Sequence, residues 1–361
     1  MRCGVSHRWG FRFLLASGLA TAAFVAAPCR STCAAEPDAA ALWKEVLALD
    51  SGPERSGSEP SPVEVFARHL KRQEAALRRF LELSDPGKNR FEAELRLARV
   101  LALRAEQEVN ADLQKQAAEL LDRLEQNATR EQQAHVAFTR ICQWMRQNRS
   151  PDSEKRADLL AAVREFRERF AFDPRTPSLL VEVATRFDRE PNIKESLLSD
   201  ARSLARDPKL KLRIADDLMR LSLLGRELKL SFSEPGGRVF SLEKHRGQPV
   251  LIFFFSSDSA SSLVVWRKLN AILAGYPRIR KLALSLDETR LGMDRVRQEL
   301  GGGWIFGWEA GGWKSPLARR WGINAVPSAL LLDSKGKVFS INALDGVEEQ
   351  LRAVSAGQES R

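Results

Sequence analysis

The chain has 361 residues, 43% of them hydrophobic and 29% charged, which allows two domains with substantial cores. Its formal charge of +10 comes largely from Lys and Arg interspersed with Glu and Asp, as in LKRQEAALRRFLEL, the pattern of a solvated helix face rather than of a nucleic-acid interface. No zinc spacing, phosphate-binding glycine loop or calcium loop occurs, so neither a metal nor a cofactor is expected.

Arg2, Arg8 and Arg12, an apolar run from Phe13 to Ala27, and small residues around Cys33-Ala34-Ala35 form the three parts of a secretory signal. Residues 1–35 are therefore expected to be a signal peptide cut after Ala35, which places the protein outside the cytoplasm, in a periplasm or similar compartment. The run is short for a spanning helix, and the alternative is an uncleaved inner-membrane anchor. Neither Cys29 nor Cys33 has the sequence context of a lipoprotein signal. Cleavage would remove Arg2, Arg8, Arg12 and Arg30 and lower the formal charge to +6. It would also remove Cys3, Cys29 and Cys33, leaving Cys142 alone and no intramolecular disulfide. Cys142 lies in AFTRICQWM among apolar residues at helical spacing, which predicts a buried structural thiol.

Residues 36–62 read as a short helix, Ala39 to Leu49, and a flexible linker, SGPERSGSEPSP. Residues 63–226 are almost wholly helical in pattern. Helices are expected near 63–83, 89–109, 111–126, 130–147, 153–171, 177–187, 192–205 and 209–224, separated by short breaks containing Pro, Asp, Asn or Gly. Antiparallel helix pairs follow, either a tetratricopeptide-like array or an irregular bundle, because no fixed repeat is evident. Either form serves as an interaction surface or a spacer. Asn127-Ala128-Thr129 and Asn148-Arg149-Ser150 fit the glycosylation triplet, which matters only in a glycosylating host.

From residue 228 the pattern changes. Leu228 to Ser231 and Val239 to Leu242 are expected to pair around Glu234-Pro235-Gly236-Gly237. Val250 to Phe255 is an unbroken apolar run of β-formers, the mark of a central strand covered on both faces. After a polar turn, Leu263, Val264, Trp266, Leu269, Ile272 and Leu273 recur at helical spacing, with Ser259 as N-cap. Lys281 to Asp287 reads as a second buried strand and Thr289 to Leu300 as its following helix, so the sheet is partly parallel. Between Gly301 and Trp321 the chain is rich in Trp and Gly. Trp304, Trp308 and Trp313 either line a binding surface or pack the core and cover the sheet edge.

These residues resemble the thioredoxin-like superfamily, and within it the exported TlpA/ResA-type thiol-disulfide oxidoreductases. The hairpin LKLSFSEPGGRVFSL, Arg246-Gly247-Gln248, the strand-turn-helix at 249–270, and LARRWGINAVPSALLLD at 317–333 follow the family's order over about one third of the chain. The resemblance implies an α+β two-domain protein, with the helical domain followed by an α/β thioredoxin-like domain at 227–356. It also implies that Ser259 and Ser262 stand where the family has the two cysteines of Cys-x-x-Cys, with Ala260 and Ser261 between them. Phe253 falls where many members carry a buried acid, and Asp258 where a Trp precedes the first cysteine. Pro327, after Val326, matches the family's cis-proline, whose surroundings leave the preceding backbone open to an extended substrate.

A thiolate at a helix N-terminus attacks disulfides, and a second thiol resolves the product; serine forms neither sulfur bond. The chain is therefore expected to be a redox-inactive binding or scaffold protein with a groove at Asp258, Ser259, Ser262, Val326 and Pro327. Its expected partner is a protein or peptide. The alternative is a thiol-disulfide oxidoreductase that uses Cys142 or a partner's thiols. A serine hydrolase would need a base, and His69, His135 and His245 lie in no recognisable context for one. Hydroxyls and free amides at the helix start suit an anion, but Asp258 opposes one there.

Overall fold

The computed structural model describes residues 38–53, 61–83, 87–148, 152–234, 237–300 and 302–359. The expected signal, its three cysteines and most of the linker lie outside the described residues. The chain forms two compact units, Met1–Ser150 and Pro151–Arg361.

In the first unit, α1 (Ala39–Leu49), α2 (Pro62–Leu81), α3 (Arg90–Glu108), α4 (Ala111–Gln126) and α5 (Arg130–Gln147) pack each against the next. The starts are set by short polar side chains. Asp38, Ser61 and Asn110 cap α1, α2 and α4, and Thr129 forms a capping box with Gln132 at the head of α5. Helix α3 is the central one, because Ala93, Leu95, Leu97, Ala98, Val100, Leu101, Ala102 and Ala105 are all buried and surround much of its circumference. Trp43 of α1 packs on Phe80 of α2 at 5.1 Å between ring centroids. Arg104 of α3 holds Glu74 of α2 and Glu108 of its own helix, joining neighbours through charge. Cys142 is half-buried rather than enclosed, because it falls beside, not on, the inward positions Ile141 and Met145.

The second unit begins with α6 (Ser153–Arg169), α7 (Thr176–Ala184), α8 (Pro191–Leu204) and α9 (Pro208–Leu221), again packed in sequence. No fixed repeat is needed to explain the arrangement; amphipathic helices with short connections suffice. After α9 come strands β1 (Ser231–Ser233) and β2 (Val239–Ser241), an antiparallel pair. Ser231 faces Ser241, so pairing begins where the expected first strand ends.

The main sheet contains β3 (Val250–Phe255), β4 (Arg280–Ser285), β5 (Ile305–Trp308), β6 (Ser328–Leu332) and β7 (Val338–Ser340) in the order β5-β4-β3-β6-β7. Strands β3, β4 and β5 are parallel, whereas β6 runs antiparallel to β3 and β7 antiparallel to β6. Between them lie α10 (Ala260–Leu273), α11 (Arg290–Leu300) and α12 (Pro316–Arg320), and α13 (Val347–Glu359) closes the chain. Every residue of β3 is buried, which is why the run is apolar without alternation. On one face Leu251, Phe253 and Phe255 pack against Trp266, Leu269 and Leu273 of α10, Met293 and Val296 of α11, and Leu351 of α13. On the other, Val250, Ile252 and Phe254 meet Phe240, Leu317, Ala318 and Trp321 together with Leu221 and Leu223 at the end of α9. The tryptophan-rich stretch thus supplies an edge strand, β5. This is the thioredoxin-like arrangement: a central parallel pair with crossover helix, continued by an antiparallel pair and a terminal helix.

Candidate functional site

The parallel strands β3 and β4 end at the same side of the sheet, and the loops that follow them meet there, as is usual for sites on α/β sheets. After Phe255 the chain turns through Ser256 to Asp258, with the Ser259 amide donating to the Ser256 carbonyl at 3.1 Å. Ser259 then caps α10: its hydroxyl accepts the Ser262 amide at 3.2 Å and lies 3.0 Å from the Ser261 hydroxyl. Asp258 is exposed and Ser259 half-buried. Ser262, one turn on, is 0% exposed, and its hydroxyl has no hydrogen-bond partner among the described residues.

The turn is pinned from below by a carboxylate that sequence reading missed. Asp287, just past β4 and buried, accepts the Ser256 hydroxyl at 2.8 Å, the Ser257 amide at 2.8 Å and the Ser257 hydroxyl at 3.1 Å on one oxygen. Its other oxygen accepts the Ser285 hydroxyl at 2.7 Å. The Trp308 indole N–H donates to the Asp287 carbonyl at 2.8 Å, tying β5 to the same point. Gly292 of α11 leaves room for this cluster, since a Cβ there would lie 2.5 Å from the Ser257 hydroxyl and 2.8 Å from the carboxylate. The available signal was a Ser and an Asp two apart at the end of a buried strand, beside Ser256-Ser257 at the end of its neighbour.

Strand β6 runs opposite to β3, with Ser328 facing Phe254, so the start of β6 lies level with the end of β3. That brings Val326 and Pro327 to the side of the sheet that carries Asp258, Ser259 and Ser262. The Val326-Pro327 peptide is cis. Val326 packs partly against the sheet core, and its backbone makes no backbone hydrogen bond among the described residues.

Beneath α10 the position of Phe253 is filled by rings. Phe253 is 0% exposed and meets Trp266 at 5.4 Å and Trp304 at 6.2 Å between centroids, both edge-on. Trp304 is buried, with its indole N–H on the Asn270 side-chain oxygen at 3.1 Å. Trp308 is half-buried and only Trp313 is substantially exposed, at 44%. The tryptophans therefore pack mainly as core and sheet-edge cover.

Chemically, the corner offers hydroxyls, helix-start amides and the Asp258 carboxylate. His245 lies against Phe240, stacked at 4.9 Å, and burial together with the charge of Arg280 lowers its pKa. Arg280 begins β4, at the opposite end of that strand from Asp287, so His245 does not serve as base to these serines. His69 and His135 belong to the first unit. Among the described residues no cluster of metal-ligating side chains occurs.

No protein-family model and no curated protein sequence matches the chain. Solved structures similar to it include the C-terminal domain of a thiol-disulfide oxidoreductase from Bacteroides thetaiotaomicron, at 22% identity, covering 36% of this chain and 97% of that one with a TM-score of 0.32. A thiol:disulfide interchange protein DsbE from Chlorobium tepidum is similar at 19% identity, over 36% of this chain and 96% of its own, with a TM-score of 0.33. A secreted disulfide oxidoreductase from Mycobacterium tuberculosis is similar at 12% identity, over 34% and 95%, with a TM-score of 0.30. These likenesses span only about a third of this chain and say nothing of its activity. The C-terminal part is a thioredoxin-like fold by its own strand order and helix placement.

Proposed function

We propose that the thioredoxin-like part is a redox-inert binding module that takes an extended segment of a protein or peptide along Val326 and Pro327, beside the start of α10. The observation that carries this reading is the placing of Ser259 as helix cap and Ser262 one buried turn later, where the family resemblance puts the cysteine pair. A hydroxyl cannot exchange with a disulfide. Phe253 supports the same reading, because an aromatic side chain enclosed by rings moves no proton. The Val326 backbone, with no backbone partner among the described residues, supplies what strand-wise pairing of a segment needs. The helices before the sheet serve as scaffold or partner-binding surface, and residues 1–35 direct export. No helix among the described residues is long and apolar enough to cross a membrane.

The test is an insulin-reduction assay with dithiothreitol. The purified protein is expected to show no turnover above the uncatalysed rate. Robust turnover that survives Cys142→Ser would overturn the inert reading.

A further inference from the structure

The segment that leads into Pro327 is held from outside the sheet. Arg220, near the end of α9, donates to the Gly322 carbonyl from Nε at 3.1 Å and from Nη2 at 2.7 Å, and Nη2 also reaches the Asn324 side-chain oxygen at 2.7 Å. The Asn324 amide donates back to Asp217 of the same helix at 2.9 Å. Gly322 has φ +61°, and a Cβ there would lie 2.1 Å from the Asp216 carbonyl oxygen and 3.0 Å from the Arg220 nitrogen. The α9 backbone therefore presses directly on the loop, and only glycine fits. From the other side, the Ile323 amide donates to the Ala318 carbonyl of α12 at 2.8 Å, and Ile323 is buried. Residues 322–324 are thus clamped between two helices, immediately before the groove residues Val326 and Pro327.

We infer that Arg220 is a positioning residue for the proposed groove: the planar fork of its guanidinium transmits the placement of α9 to Val326 and Pro327. This rests on the binding-module reading above. A single donor would fix one carbonyl, whereas the fork fixes Gly322 and Asn324 together and so sets the direction in which the loop leaves α12. Burial pulls the pKa of the guanidinium down, against the opposing charges of Asp217, Asp188 and Asp216. The consequence is that α9 and the groove respond as one body.

The experiment introduces Ser259→Cys in the full chain and measures its reaction with two activated disulfides. One is a cysteine-containing decapeptide carrying a 2-thiopyridyl group; the other is 2,2′-dithiodipyridine. In both, the thiolate introduced at position 259 forms the new S–S bond and pyridine-2-thiolate leaves, and adduct at that position is counted by peptide mapping. Each rate is divided by that of glutathione with the same reagent. The peptide-to-small ratio is expected to exceed one in the Ser259→Cys chain and to fall about tenfold on adding Arg220→Ala, the loss of a charge-assisted bond pair. Arg220→Lys restores part of it, and the small-reagent rate stays unchanged. Gly322→Ala, which wedges the loop off α9, gives the same fall if Arg220→Ala does not fold. A ratio above one that neither substitution alters overturns the role of Arg220 while leaving the groove. A ratio of one before either is added overturns the groove reading, and this inference with it.

Discussion

The Ser259 hydroxyl accepts the amide of Ser262 at 3.2 Å, so these two serines are joined across the first turn of α10 and face the same side of it. Residues three apart on a helix are close enough for a disulfide. Ser259→Cys with Ser262→Cys is therefore expected to fold and to form a 259–262 bridge in air, read by mass after alkylation. Loss of the hydroxyl cap would lower stability by about 1 kcal/mol in the reduced form. Thiols that never oxidise together in a folded variant would show that the corner is misaligned.

Asp287 accepts hydrogen bonds from Ser256, Ser257 and Ser285 in a buried setting. Asp287→Ala leaves those donors without a partner, and urea unfolding is expected to show a loss of about 3 kcal/mol. Asp287→Asn, which keeps the shape and one acceptor, should cost less. Amide exchange at Ser257 should speed up in both variants before the β3 and β4 amides are affected.

Phe253 tests whether the corner can regain a proton carrier. Phe253→Asp would bury a carboxylate among Trp266, Trp304 and Phe255, at a cost of about 4 kcal/mol or more. The expected outcome is a large fall in melting temperature and soluble yield, whereas Phe253→Leu should lose about 1–2 kcal/mol. A Phe253→Asp variant as stable as the parent would mean that water reaches this position.

The pH response of the first unit should run through His69, which is buried at 6% exposure. Burial lowers its pKa, the positive charge of Arg72 adds to this, and the Leu49 carbonyl and Asp50 oppose it. A folded-state pKa below the unfolded value means that the unfolded chain binds the proton more readily. Stability from this group is then full above about pH 6.5 and is lost as pH falls through the unfolded value toward the folded one. Melting temperature should drop as pH falls below about 6.5, and less in His69→Gln. His245, shifted in the same direction, contributes to the same window and calls for its own variant.

Local chemistry made much of the fold legible. Helices α4 and α5 were readable to their ends because Asn110 and Thr129 are strong caps, and β3 because its six residues are all buried. The cap role of Ser259 was readable for the same reason. Strand β5 was hidden by the glycines and tryptophans around it, and as an edge strand its four residues carry no uniform burial pattern. The pair Ser285 and Asp287 is visible locally, but neither the bond from Ser256 to Asp287, 31 positions away, nor the Arg220 contact with Gly322, across 102 positions, leaves a mark in any short window. Such links form only when the sheet brings distant loops to one end.

The Ser262 hydroxyl, without a hydrogen-bond partner among the described residues, has a consequence of its own. An oxygen sealed away from solvent without a donor or acceptor is a net liability of about 1–3 kcal/mol, while a methyl or a sulfur in the same place incurs little of it. The slot is thus better suited to a softer, less polar atom than the one it holds, and replacing Ser262 by Ala or Cys should leave the chain as robust as before, or more so.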